Sequence, residues 1–470
     1  MALRTNRATD LLGCDLPIVL AGMGGVARSE LVAAVTAAGG FGFLGMVREP
    51  TALIEREVEA LRALGYGNFG VNIIPAATDS ALLQRQVETL IELHVPVVAL
   101  FWDIDTSVVA RFRDAGIAVV YQVGSVDEAI AAERAGADML IAQGVEAGGH
   151  VRGTRPLHEL LPATVAAVSI PVLASGGLAT GGDLLTSLAL GAEGIVLGTA
   201  LMATEEAFAH DDHKRRLLAA HASDTVLTDT FHINWPPGAP VRVLKSEVTA
   251  GQRGGSHADQ RIVIGEEDGR PIFLFSTDSP LRSMTGDFGA MALYAGTGVG
   301  RIRDIVPAGA RMRTIMADAE QFLAATEVTE APSSASAVCY AGEMSGDYMG
   351  TLDGDEVTSA LGEIEGELLH VLGGVLGESK AARLDTPAFA SDGYELGAWT
   401  LTLRDIAGPR ERGRTNPQAG DPASLIRKLG DIAPRLPDGR PRDTLIALRQ
   451  VLEERSASQL VRSLQLSLTS

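Results

Sequence analysis

The most regular feature of the sequence is an alternation, from residue 17 to about residue 220, between short apolar runs and longer amphipathic stretches. The apolar runs lack the in-and-out polarity of a strand with one solvated face, which is typical of parallel strands buried on both sides. Between them, Ala, Leu and Glu recur at helical spacing. Eight strand-and-helix pairs are complete, with strands predicted at residues 17–23, 41–46, 68–74, 95–102, 117–123, 138–144, 170–177 and 194–199.

Five of the predicted helices end at a glycine that comes shortly before the next strand. A residue in the left-handed conformation commonly ends a helix, and glycine adopts that conformation without a Cβ clash. We therefore expect short connections from these helices to the strands that follow. The five glycines are Gly39, Gly65, Gly116, Gly136 and Gly191.

Eight parallel strands, each followed by a helix, predict the α/β fold of a (β/α)₈ or TIM barrel. The alternative is an open dinucleotide-binding sheet, which carries GxGxxG directly after its first strand. Gly22, Gly24 and Gly25 follow the first strand here, but Ala27 stands where the pattern has its last glycine. The pattern therefore favours the barrel.

The regular alternation stops near residue 222, which divides the rest of the chain into further segments. A Pro- and Gly-rich excursion covers residues 222–292 after the eighth unit, and a stretch of this length indicates a lid or a partner-contacting arm as readily as surface filler. An amphipathic helix is predicted near residues 310–325. We predict a barrel domain over 1–326, a linker over 327–337 and a mainly helical C-terminal region of unknown role over 338–470.

Composition and charge narrow the class of protein. Apolar residues make up 46% of the chain and charged residues 21%, as in folded globular proteins. The net charge of −20 argues against a nucleic-acid partner, because the phosphate backbone would be repelled. Cys14 and Cys339 form neither a disulfide framework nor a metal-binding pattern. Without a secretion signal or a membrane-length apolar run, a cytoplasmic location is expected.

The carboxyl ends of barrel strands are where such folds carry their active sites. Ser175, Gly176 and Gly177 follow the seventh predicted strand, and Gly198 and Thr199 follow the eighth. Barrels present backbone N–H groups to a phosphate from these two loops, and glycine permits close approach. Tight turning alone is the alternative explanation for each loop, but their agreement favours a phosphate.

The segment QGVEAGGH, residues 143–150, combines a polar strand end with a flexible loop and a histidine. Gly148 and Gly149 let the main chain lie against a flat ring, and Gln143 is able to hydrogen-bond a carbonyl or ring nitrogen. His150 exchanges protons near pH 7 and is the candidate base.

The remaining histidines are weaker candidates. His94, His158, His210, His213 and His221 have charged helical neighbours and are predicted on solvated faces. His232 lies in the excursion, beside a tryptophan and two prolines, and either closes over the site or packs within the loop. The hydrolase, zinc-protease and nucleotide-binding motifs GxSxG, HExxH and GxxxxGK[ST] do not occur. The sequence offers one plausible base and no metal cluster. We therefore expect a phosphate-bearing organic cofactor to supply the reaction chemistry that these side chains cannot provide.

Six segments resemble, in order, the motifs of the nitronate monooxygenase family, formerly called 2-nitropropane dioxygenases. The resemblance covers about residues 10–326, and QGVEAGGH with downstream SGG and GT is typical of FMN-dependent barrels. That group also includes flavin enoyl-reductases of fatty-acid synthesis and NADH:quinone reductases. The segments are LPIVLAGMGGVA, FGVNII, AGADMLIAQGVEAGGH, PVLASGGLATGGDL, ALGAEGIVLGTALMAT and ALYAGTGVG.

The resemblance implies FMN as cofactor and His150 as the catalytic histidine. By the same resemblance, the isoalloxazine would be bordered by Met23 and Gly24, and FMN would be contacted by Asn72, Gln143 and Gly148. Its phosphate would be held by Gly177, Val196, Leu197, Gly198 and Thr199. The last loop at the flavin would contain Tyr294, Gly296 and Gly298. Gln122, Gly149, Ser175 and Gly176, at the same strand ends, complete the predicted cofactor site. The sequence departs from the family at Gly22, where Pro is usual, and at Val196 and Leu197, where Gln and Met are common.

The activity that the resemblance implies is oxidation of alkyl nitronates or nitroalkanes with O₂, giving a carbonyl compound and nitrite, with His150 as base or charge partner. Two alternatives stay open. One is an NAD(P)H-dependent FMN reductase acting on a quinone or an enoyl thioester, and the other is a non-enzymatic flavin- or phosphate-binding barrel whose tail recruits a partner. The C-terminal tail could also form a homodimer, wrap the barrel or cap its mouth.

Overall fold

The computed structural model describes residues 5–253 and 261–327, and its centre is a closed barrel of eight parallel strands. All eight predicted strands are present and pair in chain order, so the TIM-barrel prediction is confirmed. A further two-residue strand, β7 (Gly149–His150), lies outside the barrel. The barrel strands are β1 (Ile18–Leu20), β2 (Phe41–Gly45), β3 (Gly70–Ile73), β4 (Val97–Phe101), β5 (Ala118–Val123), β6 (Met139–Gln143), β8 (Val172–Ser175) and β9 (Ile195–Leu197).

Helices follow the strands and cover the barrel. The five glycines predicted to end helices all have left-handed φ values, from 73° to 103°, as the capping argument requires. The helix predicted near 310–325 is also present. The helices are α1 (Arg7–Leu12), α2 (Ser29–Ala37), α3 (Thr51–Ala63), α4 (Ser80–Glu92), α5 (Thr106–Asp114), α6 (Val126–Ala135), α7 (Leu157–Ala167), α8 (Gly181–Ala189), α9 (Thr199–Met202), α10 (Asp211–Ala219) and α11 (Ala308–Glu327).

Side chains fill the interior of the barrel, so the barrel is a core and not a pore. Phe41 and Phe43 meet edge to face, with ring centroids 5.1 Å apart. A Cβ atom on Gly70 would lie 2.3 Å from the Phe43 ring, so the absent side chain at this position makes room for the aromatic pair. Ala8 and Leu12 of α1 join the same apolar cluster. The α1 helix therefore closes one end, and space for a ligand remains at the carboxyl ends of the strands.

The described parts of the excursion, residues 222–253 and 261–292, contain short strands although the strand-and-helix alternation has ended. Its strands are too short, at three to five residues, for an alternating pattern to be visible in the sequence. β11 pairs with both β10 and β7, placing Val241 opposite His150. A second sheet has the order β13-β12-β14. The strands are β10 (Thr225–Thr228), β11 (Val241–Leu244), β12 (Val263–Glu267), β13 (Arg270–Phe273) and β14 (Met284–Gly286).

The linker and the helical C-terminal region predicted beyond residue 327 lie outside the described residues. Among the helices of the described ranges, none is long and apolar enough to cross a membrane.

His213 on α10 is fully buried, so its predicted place on a solvated face was wrong. Its Nε2 donates to the carbonyl oxygen of Tyr294 at 3.1 Å, and its Nδ1 lies 3.3 Å from the Ser279 hydroxyl, which donates to it. Both contacts suit a neutral ring. Burial lowers the pKa of His213 to about 4. This histidine thus ties α10 to the chain between β13 and β14 and to the segment that follows β14.

We expect His213 to make the fold acid-sensitive. Its pKa is about 4 in the folded chain and 6.5 when unperturbed, so its contribution is complete above pH 6.5 and is lost as the pH falls towards 4. Across that interval, the free energy of unfolding of the native protein should fall by about 3 kcal/mol more than that of His213→Gln. Urea unfolding of both proteins between pH 7 and pH 4.5 measures the difference, and parallel pH curves would contradict it.

Candidate active site

A cavity of about 510 Å³ opens at the carboxyl ends of the barrel strands, a volume typical of small-molecule and cofactor sites. The loops after the strands and the excursion line it together. Leu197 is the one predicted site residue that does not line it; its side chain is buried, while its carbonyl oxygen accepts a hydrogen bond from Ala21 N at 3.0 Å. The predicted residues that do line it are Met23, Gly24, Asn72, Gln122, Gln143, Gly148, Gly149, His150, Ser175, Gly176, Gly177, Val196, Gly198, Thr199, Tyr294, Gly296 and Gly298.

His150 is 9% exposed and faces the cavity from the end of β7. Its ring stacks on the indole of Trp235, and the centroid of the Tyr294 ring lies 6.2 Å away. The pKa of His150 is held well below 6.5, mainly by burial and to a smaller extent by the positive charge of Arg48. The imidazole is therefore neutral at pH 7, the state that a base requires.

The main chain of His150 is held from two sides. On one side β7 pairs with β11 of the excursion. On the other, Gln143 Nε2 donates to the carbonyl oxygen of His150 at 2.9 Å, and Gln143 Oε1 accepts from Arg152 N at 3.2 Å. Gln143 thus positions the histidine in addition to lining the cavity. Arg242 fixes the intervening loop, because its guanidinium donates to the carbonyl oxygen of Val145.

Glycine-rich loops form a cradle in which backbone packs directly on backbone. A Cβ atom on Gly148 would lie 2.5 Å from Gly296 N, and one on Gly298 would lie 2.3 Å from the carbonyl oxygen of Gly177. Gly198 differs, since apart from its chain neighbours the nearest atom to a Cβ there is Met23 Sδ, 3.8 Å away. The cradle is therefore tightly packed between its loops and open beside Gly198.

The departure from the family pattern at Gly22 has a local explanation. Asn72 is buried, and its Nδ2 donates to the carbonyl oxygen of Ala99 at 3.1 Å. A Cβ atom on Gly22 would lie only 2.2 Å from Asn72 Cβ. The proline usual in the family would therefore not fit beside Asn72 in this arrangement.

Arg48 and Trp235 are among the cavity residues that the sequence did not predict. Arg48 follows β2 and donates to the carbonyl oxygen of Asn234 and, at 3.3 Å, to Thr277 Oγ1. Of the two roles left open for His232, packing within the loop agrees with the structure: its ring stacks on Phe275, and it is exposed and does not line the cavity. The tryptophan beside two prolines was the available signal, but the path of the excursion over the mouth is not visible in the sequence.

The closed barrel and the glycine cradle at its mouth define the class: a TIM-barrel enzyme with a cofactor-sized site at the carboxyl ends of its strands. Within that class the chain belongs to the nitronate monooxygenase family, whose model matches residues 5–318. The family consists of flavin-dependent oxidoreductases. The resemblance found in the motifs is thereby confirmed.

Individual proteins agree with the family assignment. A probable nitronate monooxygenase of Staphylococcus aureus is 33% identical over 269 residues, covering 48% of this chain and 76% of that protein. The structure of FabK from Thermotoga maritima is 28% identical with a TM-score of 0.58 and covers 69% of this chain and 99% of its own. Nitroalkane oxidase from Streptomyces ansochromogenes is 32% identical with a TM-score of 0.56, covering 68% and 99%.

Proposed function

We propose that this protein is an FMN-dependent nitronate monooxygenase, which oxidises alkyl nitronates or nitroalkanes with O₂ to a carbonyl compound and nitrite. The observation that carries the proposal is His150, a buried neutral base whose Nε2 has no hydrogen-bond partner in the described ranges. Family membership and the likeness to a nitroalkane oxidase support the substrate class.

The residues present fit FMN. The cradle contains glycine where a Cβ atom would clash with the backbone of the facing loop. The backbone beside Gly198 is open to an anionic group. Met23 and Gly24 would border the flavin ring, while Gly177, Gly198 and Thr199 would hold the phosphate. The chemistry that FMN supplies when bound is acceptance of electrons from the substrate and their transfer to O₂.

His150 performs the proton chemistry in this proposal. With a neutral nitroalkane, Nε2 removes the α-proton and holds it, which leaves the nitronate anion beside an imidazolium. With a preformed nitronate, an N–H at Nε2 donates to a nitro oxygen. Gln143 keeps the main chain of His150 fixed, and Trp235 covers one face of the ring and excludes water.

Anaerobic mixing of the FMN-loaded protein tests the proposal. Ethyl nitronate should bleach the flavin rapidly and NADH should not, because electrons come from the substrate anion. In air, the same protein should produce nitrite from ethyl nitronate. Rapid bleaching by NADH, without nitrite formation in air, would instead indicate the quinone or enoyl-thioester reductase.

A further inference from the structure

Trp235 and His150 form a fixed stack at the wall of the cavity. Their ring centroids are 3.3 Å apart and their planes differ by 13°. Trp102 packs edge-on against both rings, with its centroid 5.7 Å from Trp235 and 6.1 Å from His150. Because a third ring braces the pair, the indole has a defined place beside the base.

Each of the two stacked rings carries a buried nitrogen with no hydrogen-bond partner. These atoms are Trp235 Nε1 and His150 Nε2. Neither has a hydrogen-bond partner within residues 5–253 and 261–327. Buried polar atoms are nearly always paired in native proteins, so an orphaned pair at a cavity indicates a ligand that completes it. Both residues line the cavity, whereas Trp102 does not.

The charge beside the stack favours an anion. Arg48 donates to the carbonyl oxygen of Asn234, the residue next to Trp235. Among the described residues, Arg48 has no carboxylate within 4 Å, although it lines the cavity. The other arginine at the cavity wall, Arg270, is paired with Glu267 and Asp278. Arg48 therefore provides a positive charge outside any ion pair, whereas the carboxylates of the cavity, Glu49, Glu267 and Asp278, are each paired with another arginine.

We propose that Trp235 is a substrate-binding residue, whose indole N–H donates to an oxygen of the substrate's nitro or nitronate group. An indole nitrogen only donates, whereas a neutral imidazole nitrogen donates in one tautomer and accepts in the other. Trp235 thus holds an oxygen while His150 acts on the α-proton or contacts the second oxygen. The excursion thereby selects for substrates with a planar two-oxygen group. This inference rests on the proposed function for the identity of the substrate.

Nitrite, a planar two-oxygen anion, is the probe for the proposed contact. Calorimetric titration of the FMN-loaded native protein, Trp235→Phe and Trp102→Phe measures its affinity. Phenylalanine preserves the stacking and removes the N–H group. We expect about tenfold weaker nitrite binding in Trp235→Phe and a change of less than about twofold in Trp102→Phe. The thermal midpoint should fall less in Trp235→Phe than in Trp102→Phe, because Trp102 is more deeply buried and loses more packing.

The outcomes separate this inference from the proposed function. Undiminished nitrite binding in Trp235→Phe, an equal loss in Trp102→Phe or no nitrite binding by the native protein would overturn the role of Trp235. Nitronate turnover by the native protein is measured alongside. If nitrite binding depends on Trp235 but nitronate is not turned over, the role of Trp235 stands and the proposed function is rejected. If nitronate is turned over but nitrite binding does not depend on Trp235, the proposed function stands and the role of Trp235 is rejected.

Discussion

Replacing His150 with Asn should slow nitroalkane turnover by about two to four orders of magnitude, the usual contribution of general acid–base catalysis. His150 lines the cavity and is neutral because its pKa is held well below 6.5. Its buried Nε2 has no hydrogen-bond partner in the described chain. Asparagine cannot accept the α-proton. Flavin should remain bound, because the glycine cradle is formed by backbone groups and this substitution changes only a side chain.

The measurement is the turnover number with nitroethane together with the flavin content of each purified protein. His232→Asn is the matched control, since it removes an exposed histidine from the excursion and should leave turnover unchanged. Unaltered turnover in His150→Asn would remove this residue from the mechanism. A smaller effect with preformed nitronate than with nitroethane is expected, because proton removal is then unnecessary.

Replacing Gly198 with Ala should weaken flavin binding at least about tenfold, equivalent to about 1.4 kcal/mol. The nearest atom to a methyl group there is Met23 Sδ at 3.8 Å, so the folded chain tolerates it. The methyl group would, however, stand where the backbone must approach the phosphate of the cofactor. The expected result is therefore lost flavin affinity with an unchanged thermal midpoint of the apoprotein.

Fluorescence titration of the apoproteins with FMN gives the affinity, and circular dichroism gives the thermal midpoint. Gly67→Ala is the matched control, because a Cβ at Gly67 meets nothing within 4 Å and Gly67 does not line the cavity. Equal FMN affinity in the native protein and Gly198→Ala would show that the phosphate lies elsewhere.

The sequence was sufficient for the barrel because its signals are local. Each strand is a continuous apolar run, and glycines such as Gly136 mark the helix ends. The site residues Met23, Gly148 and Gly198 are distant in sequence, but each follows a strand, and carboxyl ends of barrel strands converge. Their meeting at one cavity was therefore predictable.

The strand pairing of the excursion, the burial of His213 and the place of Trp235 and Arg48 at the cavity depend on contacts between distant segments, which local sequence patterns do not predict. The pairing of β11 with β7 joins Val241 to His150 across the mouth, and the strands are too short to show alternation. His213 has charged neighbours in α10, yet the chain around Ser279 covers it and supplies its partner. Trp235 and Arg48 likewise became visible as site residues only once the excursion was placed over the barrel.

A flavin held in the glycine cradle is required by every step proposed for this site. The direct measurement is identification of the chromophore released by denaturing the purified full-length chain after incubation with excess FMN and dialysis. We predict about one FMN per chain, since the barrel has a single cradle at the strand ends in the described residues. A folded protein that retains no flavin after this treatment would contradict the account.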